Sequence, residues 1–195
     1  MLIGILALQG NFSMHKKVLN TLNVNSKFVK YESDLYDCDA LIIPGGESTT
    51  MTKLIDKHQL RNRIIIFSKE KPILGTCAGM IILSKSPNTK HVLPLGILDF
   101  EVSRNGWGRQ VFSFTQTVTL EIHEHIEFQA TFIRAPKVKT INEDLIIHGK
   151  FNNEIIYLSD GFHMATSFHP EFGNDTRVHQ YFLSKINSTS YVNTI

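Results

Sequence analysis

Short apolar runs alternate with segments of helical period through the first half of the chain. Four runs are largely apolar or alternate strictly, as expected for strands of a parallel sheet that is covered on both faces. The predicted strands are 2–8, 26–31, 39–46 and 72–76. Between them, Met14, Val18 and Leu22 recur at a spacing of four, and Ser48 is a favourable N-cap for a further periodic segment. The predicted helices are 14–22, 48–58 and 78–86.

The pattern changes near residue 95 to a series of strand-like runs. These are LGILDFEV, RQVFSFTQTVTL, FQATFIRA, DLIIHGKF, NEIIYLSD and HMATSF, which we interpret as antiparallel hairpins added to the sheet, before a closing helix over 175–187. The order of elements favours the α/β class. We predict one domain over 1–195, a flavodoxin-like open sheet that is mostly parallel, with helices on both faces and added antiparallel strands in the second half.

Composition narrows the choice of partners. The 195 residues are 42% hydrophobic and 19% charged, with a formal net charge of +2, as in an ordinary globular protein. Lysines and arginines are scattered, which argues against a nucleic-acid or membrane partner. The opening run MLIGILALQG lacks a basic region and is too short to span a bilayer, so we interpret it as a buried strand and expect a cytoplasmic protein.

Cys77 is the first candidate for chemistry, because it lies where a predicted strand meets a predicted helix, between Gly75 and Gly79. This pattern mirrors the Gly-x-Ser-x-Gly elbow, in which a sharp turn presents a nucleophile above the sheet. A helix N-terminus also favours the thiolate form. The alternative is a small buried apolar residue. We assign that structural role to Cys38, which lies between two aspartates and lacks the glycines.

A thiol nucleophile needs a base and a group that orients the base. His169 follows the apolar run 164–168, and Glu171 comes two residues later across Pro170. Residues two apart in an extended segment point to the same side, so the carboxylate can reach the imidazole. Taken alone, the pair is better interpreted as a histidine and a surface glutamate in a turn; together with the cysteine elbow it predicts a Cys-His-Glu triad.

Acyl transfer also needs fixed donors for an oxyanion. The Ala78 N–H follows the nucleophile at a helix start, and the glycines of PGGES at 44–48 can turn an N–H inward at low steric cost. A plain glycine turn before a helix cap is the alternative for PGGES. His123 and His125 have a spacing typical of metal ligands, but no third ligand converges in the sequence, so we predict a solvated loop or strand edge and no metal.

The motifs together resemble those of class I glutamine amidotransferases, and within them the glutaminase subunits of pyridoxal 5′-phosphate synthase. The resemblance covers nearly the whole chain, through LALQGNFSMH, IPGGEST, PILGTCAGM, LGILDFEVSRNGWGRQ, FIRAP, TSFHPE and DTRVHQYF. The cysteine elbow and HPE indicate the class, and the remaining motifs indicate the subfamily. Trp107 and the segment 86–94 depart from the pattern, which bears on partner contacts rather than chemistry.

The resemblance implies a role for each matching residue. Cys77 would be the nucleophile, His169 the base and Glu171 its orienting carboxylate, with N–H groups of Gly46 and Ala78 as the oxyanion hole. The glutamine-binding residues would be Gly46, Glu47, Ser48, Arg104, Ile133 and Arg134, with Arg104, Ile133 and Arg134 at the amino-acid end. Gln9 would lie on the side where ammonia leaves.

The implied activity is hydrolysis of L-glutamine to L-glutamate and ammonia through a cysteine thioester, without a cofactor. The ammonia would pass to the synthase subunit that makes pyridoxal 5′-phosphate. Two alternatives remain open at this point: a stand-alone cysteine hydrolase of γ-glutamyl compounds, and a catalytically silent regulatory subunit.

Overall fold

A computed structural model describes residues 1–87, 90–104 and 113–188, with side chains to residue 186. Trp107 and two residues of the segment 86–94 lie outside these ranges. The strands are β1 (Leu2–Leu6), β2 (Asn25–Val29), β3 (Ala40–Ile43), β4 (Ile73–Thr76), β5 (Ser84–Pro87), β6 (Leu98–Ser103), β7 (Ser113–Ile122), β8 (Glu124–Ile133), β9 (Lys137–Ile141), β10 (Ile146–Phe151), β11 (Glu154–Ser159) and β12 (Met164–Thr166). The helices are α1 (Phe12–Thr21), α2 (Ser48–Lys57), α3 (Arg61–Ser68), α4 (Ala78–Leu83) and α5 (Arg177–Ser188), with a 3-10 helix at Glu32–Leu35.

The main sheet has the strand order β2-β1-β3-β4-β12-β11-β10-β7-β8. Its first five strands pair in parallel, and the rest pair antiparallel. The parallel part has the 2-1-3-4-5 order of flavodoxin-like folds, in which ligands bind beyond the carboxyl ends of the strands. The predicted α/β class, open sheet and added antiparallel strands are therefore confirmed.

Each face of the parallel part is covered by its own helices. On one face, Leu41 and Ile43 of β3 belong to a buried cluster with residues of α2, α3 and α4. On the other face, Ala40 and Ile42 belong to a second cluster with residues of α1 and α5. Alternation along one short strand thus sends buried side chains to both layers, which explains why the central strands read as continuous apolar runs.

Three elements differ from the sequence prediction. The helix predicted over 78–86 ends at Leu83, because Ser84 turns to an extended backbone and starts β5. Strands β5, β6 and β9 form a separate three-stranded sheet; of these only β6 was predicted as a strand, and the prediction added it to the main sheet. Helix α3 was not predicted, because its run of three isoleucines hides the helical period. Within the described ranges, no helix has the length and apolar character needed to cross a membrane.

Candidate active site

The carboxyl ends of four neighbouring strands surround one cavity of about 480 Å³. The loop after β1 brings Asn11 and the loop after β3 brings the PGGES segment. Cys77 follows the last residue of β4, and the loop after β12 brings His169. The lining residues are Asn11, Gly46, Glu47, Ser48, Cys77, Ala78, Ile81, Arg104, Ser113, Ile133, Arg134 and His169. Most of the residues predicted from the sequence therefore meet in one place, as the topology of an open parallel sheet requires.

Cys77 occupies a strained turn between β4 and α4. Its φ of 49° and ψ of −101° lie in a region that side-chain-bearing residues rarely adopt. The flanking glycines serve packing: a Cβ on Gly75 would lie 2.6 Å from the Gly79 carbonyl oxygen, and one on Gly79 would collide with the Ile43 carbonyl. The Cys77 side chain is nearly buried, and its thiol faces the Ile133 carbonyl at 3.5 Å. This is the geometry of a nucleophile elbow.

His169 and Glu171 form a buried pair beside Cys77. His169 Nδ1 lies 2.6 Å from Glu171 Oε1, and both side chains are at most 3% exposed. The segment is a turn, in which the Phe172 N–H donates to the His169 carbonyl at 3.3 Å, and not the extended segment that we predicted. The two side chains nevertheless meet, because the turn folds the carboxylate back towards the imidazole.

The surroundings favour His169 as an imidazolium and Glu171 as a carboxylate. Burial alone would lower the pKa of His169, but its interactions with Cys77 and Glu171 raise the pKa to about 10. Burial alone would raise the pKa of Glu171, but His15 and His169 outweigh it and lower the pKa. An imidazolium next to a cysteine is the environment that stabilises a thiolate. Burial raises the pKa of Cys38 to about 11, so that thiol stays protonated near neutral pH.

The PGGES loop is held from two sides. The Glu47 N–H donates to Gln9 Oε1 at 2.9 Å, and the Asn11 N–H donates to the Gly45 carbonyl at 3.0 Å. A Cβ on Gly45 would collide with the His169 ring, and a Cβ on Gly46 would collide with Gln9. The glycines therefore allow this loop to pass between the β1 loop and the imidazole.

Glu47 and Arg104 form the outer wall of the cavity. Glu47 caps α2 by accepting from the Thr49 and Thr50 N–H groups at 3.1 and 2.6 Å. Arg104 donates to Glu47 at 2.9 Å and to the Thr49 hydroxyl at 2.8 Å. Partial burial opposes ionisation of Glu47, but the hydrogen bonds from Thr50 and Thr49 lower its pKa to about 2. A fixed carboxylate and guanidinium thus stand together at the cavity rim.

At the end of β8, Ile133 and Arg134 complete the wall, and Arg134 has a φ of 46°. Sequence reasoning missed three lining residues, Asn11, Ile81 and Ser113. Ile81 could have been found, because it is one helical turn after Cys77 and faces the same side.

His123 and His125 lie elsewhere. His123 is the turn residue between β7 and β8, with a φ of 57°, and its ring packs against Tyr181 with centroids 4.8 Å apart. Among the residues that the structure describes, no group of three potential metal ligands converges.

Comparison with known proteins shows where this fold occurs. A crystal structure described as a glutamine amidotransferase superposes with a TM-score of 0.88 at 36% identity, covering 95% of this chain and 98% of that chain. A structure of PurLQS from Thermotoga maritima, 14% identical, shares the fold with a TM-score of 0.70, covering 94% of this chain and 97% of its own. The fold is that of the class I glutamine amidotransferases.

Within that class the chain belongs to the SNO glutamine amidotransferase family, whose model matches residues 5–188. Curated relatives include two proteins named pyridoxal 5′-phosphate synthase subunit PdxT. The one from Francisella philomiragia is 41% identical over 182 residues, which cover 93% of this chain and 97% of the relative. The one from Oenococcus oeni is 42% identical over 181 residues, covering 93% and 94%.

Proposed function

We propose that this protein hydrolyses L-glutamine to L-glutamate and ammonia, and that it delivers the ammonia to the synthase subunit that makes pyridoxal 5′-phosphate. The observation that carries the proposal is the buried His169–Glu171 pair, 2.6 Å apart, next to a cysteine on a strained strand–helix turn. That combination serves acyl transfer, in which a thiolate attacks a carbonyl carbon. Residues 1–195 act as one glutaminase domain, expected in the cytoplasm.

In the first half-reaction, the Cys77 thiolate attacks the side-chain amide carbon of glutamine. As the C–N bond breaks, the His169 imidazolium gives its proton to the leaving nitrogen, so that ammonia departs and a γ-glutamyl thioester remains. In the second half, neutral His169 takes a proton from water, whose oxygen attacks the thioester and expels the thiolate. Glu171 keeps the imidazole oriented and stabilises its cationic form, without itself transferring a proton.

The oxyanion that forms in both halves needs two donors within hydrogen-bond reach. We assign them to the N–H groups of Gly46 and Ala78, which both line the cavity. Gln9 contributes indirectly, since its side chain holds the peptide after Gly46 through the Glu47 N–H. Its position next to the PGGES loop also supports the proposed exit of ammonia on that side.

The amino-acid end of glutamine carries one positive and one negative group. The pair of Glu47 and Arg104 at the rim offers the opposite charges side by side, 2.9 Å apart. Arg134, Ile133 and Ser48, which line the same cavity, complete the proposed binding site. The guanidinium groups suit the α-carboxylate, because their planar donors match its two oxygens.

The synthase partner is proposed from the curated relatives, whose names describe a subunit of pyridoxal 5′-phosphate synthase. The test is glutamate release at saturating glutamine, titrated with a purified pyridoxal 5′-phosphate synthase subunit. A peptide flanked by glycines can rotate at low cost, so we propose that the Gly46 N–H points into the oxyanion hole only when the partner presses on that loop. We therefore expect low turnover alone and a rise by about 10²–10³ with the partner, the effect of one oxyanion-hole donor. A full rate that stays flat across the titration would favour a stand-alone hydrolase, and no glutamate release under any condition would refute the activity.

A further inference from the structure

Two fully buried histidines lie directly behind Glu171. His15, in the first turn of α1, places Nε2 3.5 Å from Glu171 Oε2 and 3.2 Å from the Thr76 hydroxyl. Its Nδ1 lies 3.0 Å from Nε2 of His179, which belongs to α5. Both histidines have 0% exposed area. The chemistry described above uses neither of them, although burying two imidazoles costs free energy unless their ring nitrogens find partners.

The contacts favour one assignment of protons to the ring nitrogens. The Glu171 carboxylate only accepts hydrogen bonds, so a proton on His15 Nε2, 3.5 Å from Oε2, is the favourable assignment. His15 Nδ1 is then an acceptor, which requires that His179 Nε2 donates. The remaining His179 Nδ1 has no hydrogen-bond partner within the described residues. An unpaired acceptor is tolerated more readily than an unpaired N–H, so this arrangement is the favoured one.

Both imidazoles are neutral in this arrangement. Burial lowers the pKa of His15, despite the attraction of Glu171, and burial lowers the pKa of His179 to about 3. The titratable groups that face His15 are Glu171, His169 and His179. The chain of donors therefore runs in one direction, from His179 through His15 to the carboxylate.

We propose that His15 is a positioning residue for the Cys77–His169–Glu171 triad, and that His179 holds His15 in the required tautomer. The proposal rests on the glutaminase function proposed above. Glu171 uses Oε1 for His169 and presents Oε2 to His15, so each oxygen has a different imidazole opposite it. His15 also contacts Thr76, the residue before Cys77. One side chain thus links the nucleophile turn to the carboxylate.

The contribution is electrostatic and geometric. Oε2 has no other partner in the described part of the chain, so without His15 a buried, ionised oxygen would lack compensation. The carboxylate would rotate or become easier to protonate, and its hold on the His169 imidazolium would weaken. The His15 contact of 3.5 Å is longer than a normal hydrogen bond, and its N–H is shared with Thr76. We expect it to shorten when charge develops on the triad.

The test compares His15→Leu, which removes the donor, with His15→Gln, whose amide N–H can replace Nε2–H. His148→Leu is the matched control, because His148 is another buried histidine, bonded to the Glu121 carbonyl at 2.8 Å and the Ser159 hydroxyl at 2.7 Å. Each variant is assayed for kcat and KM of glutamate release with saturating synthase subunit, for thermal stability, and for the pH dependence of Cys77 alkylation by iodoacetamide.

We expect His15→Leu to lower kcat by about 10- to 100-fold, the worth of a hydrogen bond to a charged group, with KM nearly unchanged. The upper transition of the alkylation profile, where the His169 imidazolium loses its proton, should fall by about half a pH unit or more, because a weaker carboxylate stabilises the imidazolium less. His15→Gln should restore most of kcat. His148→Leu should lose stability and keep the wild-type profile.

If His15→Leu had the kcat and the alkylation pH profile of the wild type, the proposal would be overturned and His15 would be a packing residue. Equal losses of kcat in His15→Leu and His15→Gln would lead to the same conclusion. If His15→Leu does not fold, His179→Leu is the second variant, with a smaller loss of kcat and the same direction of pH shift expected; no shift there would also overturn the proposal. If the wild-type protein hydrolyses glutamine in the same assay, refutation of the His15 proposal leaves the proposed glutaminase activity intact.

Discussion

Replacement of Gly45 by alanine should disable the site through one added methyl group. Gly45 is not in the left-handed region, so alanine can adopt its backbone conformation. The new Cβ would lie 2.9 Å from His169 Nδ1 and closer still to Cε1, whereas ordinary contacts begin near 3.4 Å. The ring must therefore move by about 1 Å, and it has little room because its side chain is 3% exposed.

Such a shift breaks the 2.6 Å contact between His169 and Glu171 and moves the imidazole away from Cys77. A misplacement of about 1 Å typically costs about 10²-fold in rate, and overpacking costs about 1–3 kcal/mol of stability. We expect kcat for glutamate release, with saturating synthase subunit, to fall by about 10² or more. The folded state should survive, as checked by circular dichroism and a melting curve.

Gly161→Ala is the control for a glycine substitution that reaches no catalytic group. Gly161 has a φ of +89°, so alanine there is strained by about 1–2 kcal/mol, yet no atom lies within 4 Å of its added Cβ. It precedes β12, at the opposite end of that strand from His169. Its variant should lose stability and keep kcat. If Gly45→Ala retained kcat within twofold of the wild type, the inferred contact between this loop and the imidazole would be wrong.

Three further predictions concern the triad and the buried His179. A glutamine-like electrophile should label Cys77 and spare Cys38, and mass mapping of the label on Cys38 would refute the assignment. His169→Asn should lower kcat by orders of magnitude, and Glu171→Gln by less, because the carboxylate only orients the base; near-full turnover of His169→Asn would require another base. Burial lowers the pKa of His179 to about 3, against 6.5 for an ordinary histidine, so the unfolded chain binds a proton that the folded one does not. The free energy of unfolding, measured with urea, should therefore fall by about 2 kcal/mol from this group as the pH is lowered from 7 to 5. In His179→Leu this part of the pH dependence should be absent.

The strands of the parallel half were predictable because burial on both faces leaves a direct mark on the sequence. The runs at 39–46 and 72–76 contain β3 and β4, and only their ends differ. The small sheet of β5, β6 and β9 was not predictable, because β6 pairs with β9 through residues such as Phe100 and Ile141, which are far apart in the sequence. Local patterns carry no record of such pairing.

The same distinction between local patterns and tertiary contacts applies to the candidate active site. Cys77 between two glycines, and a histidine and glutamate two residues apart, are local patterns with a chemical meaning, so the sequence by itself determined the nucleophile candidate, the base candidate and the class of reaction. The strain at Cys77, the turn at His169 and the closeness of Gly45 to the imidazole depend on how strand ends converge, and only the tertiary structure decided them. The contact of His15 with His179 is the clearest case: 164 residues separate them, and they meet because α1 and α5 cover the same face of the sheet. Packing between distant segments decides what surrounds a catalytic group, and that environment sets its charge and orientation.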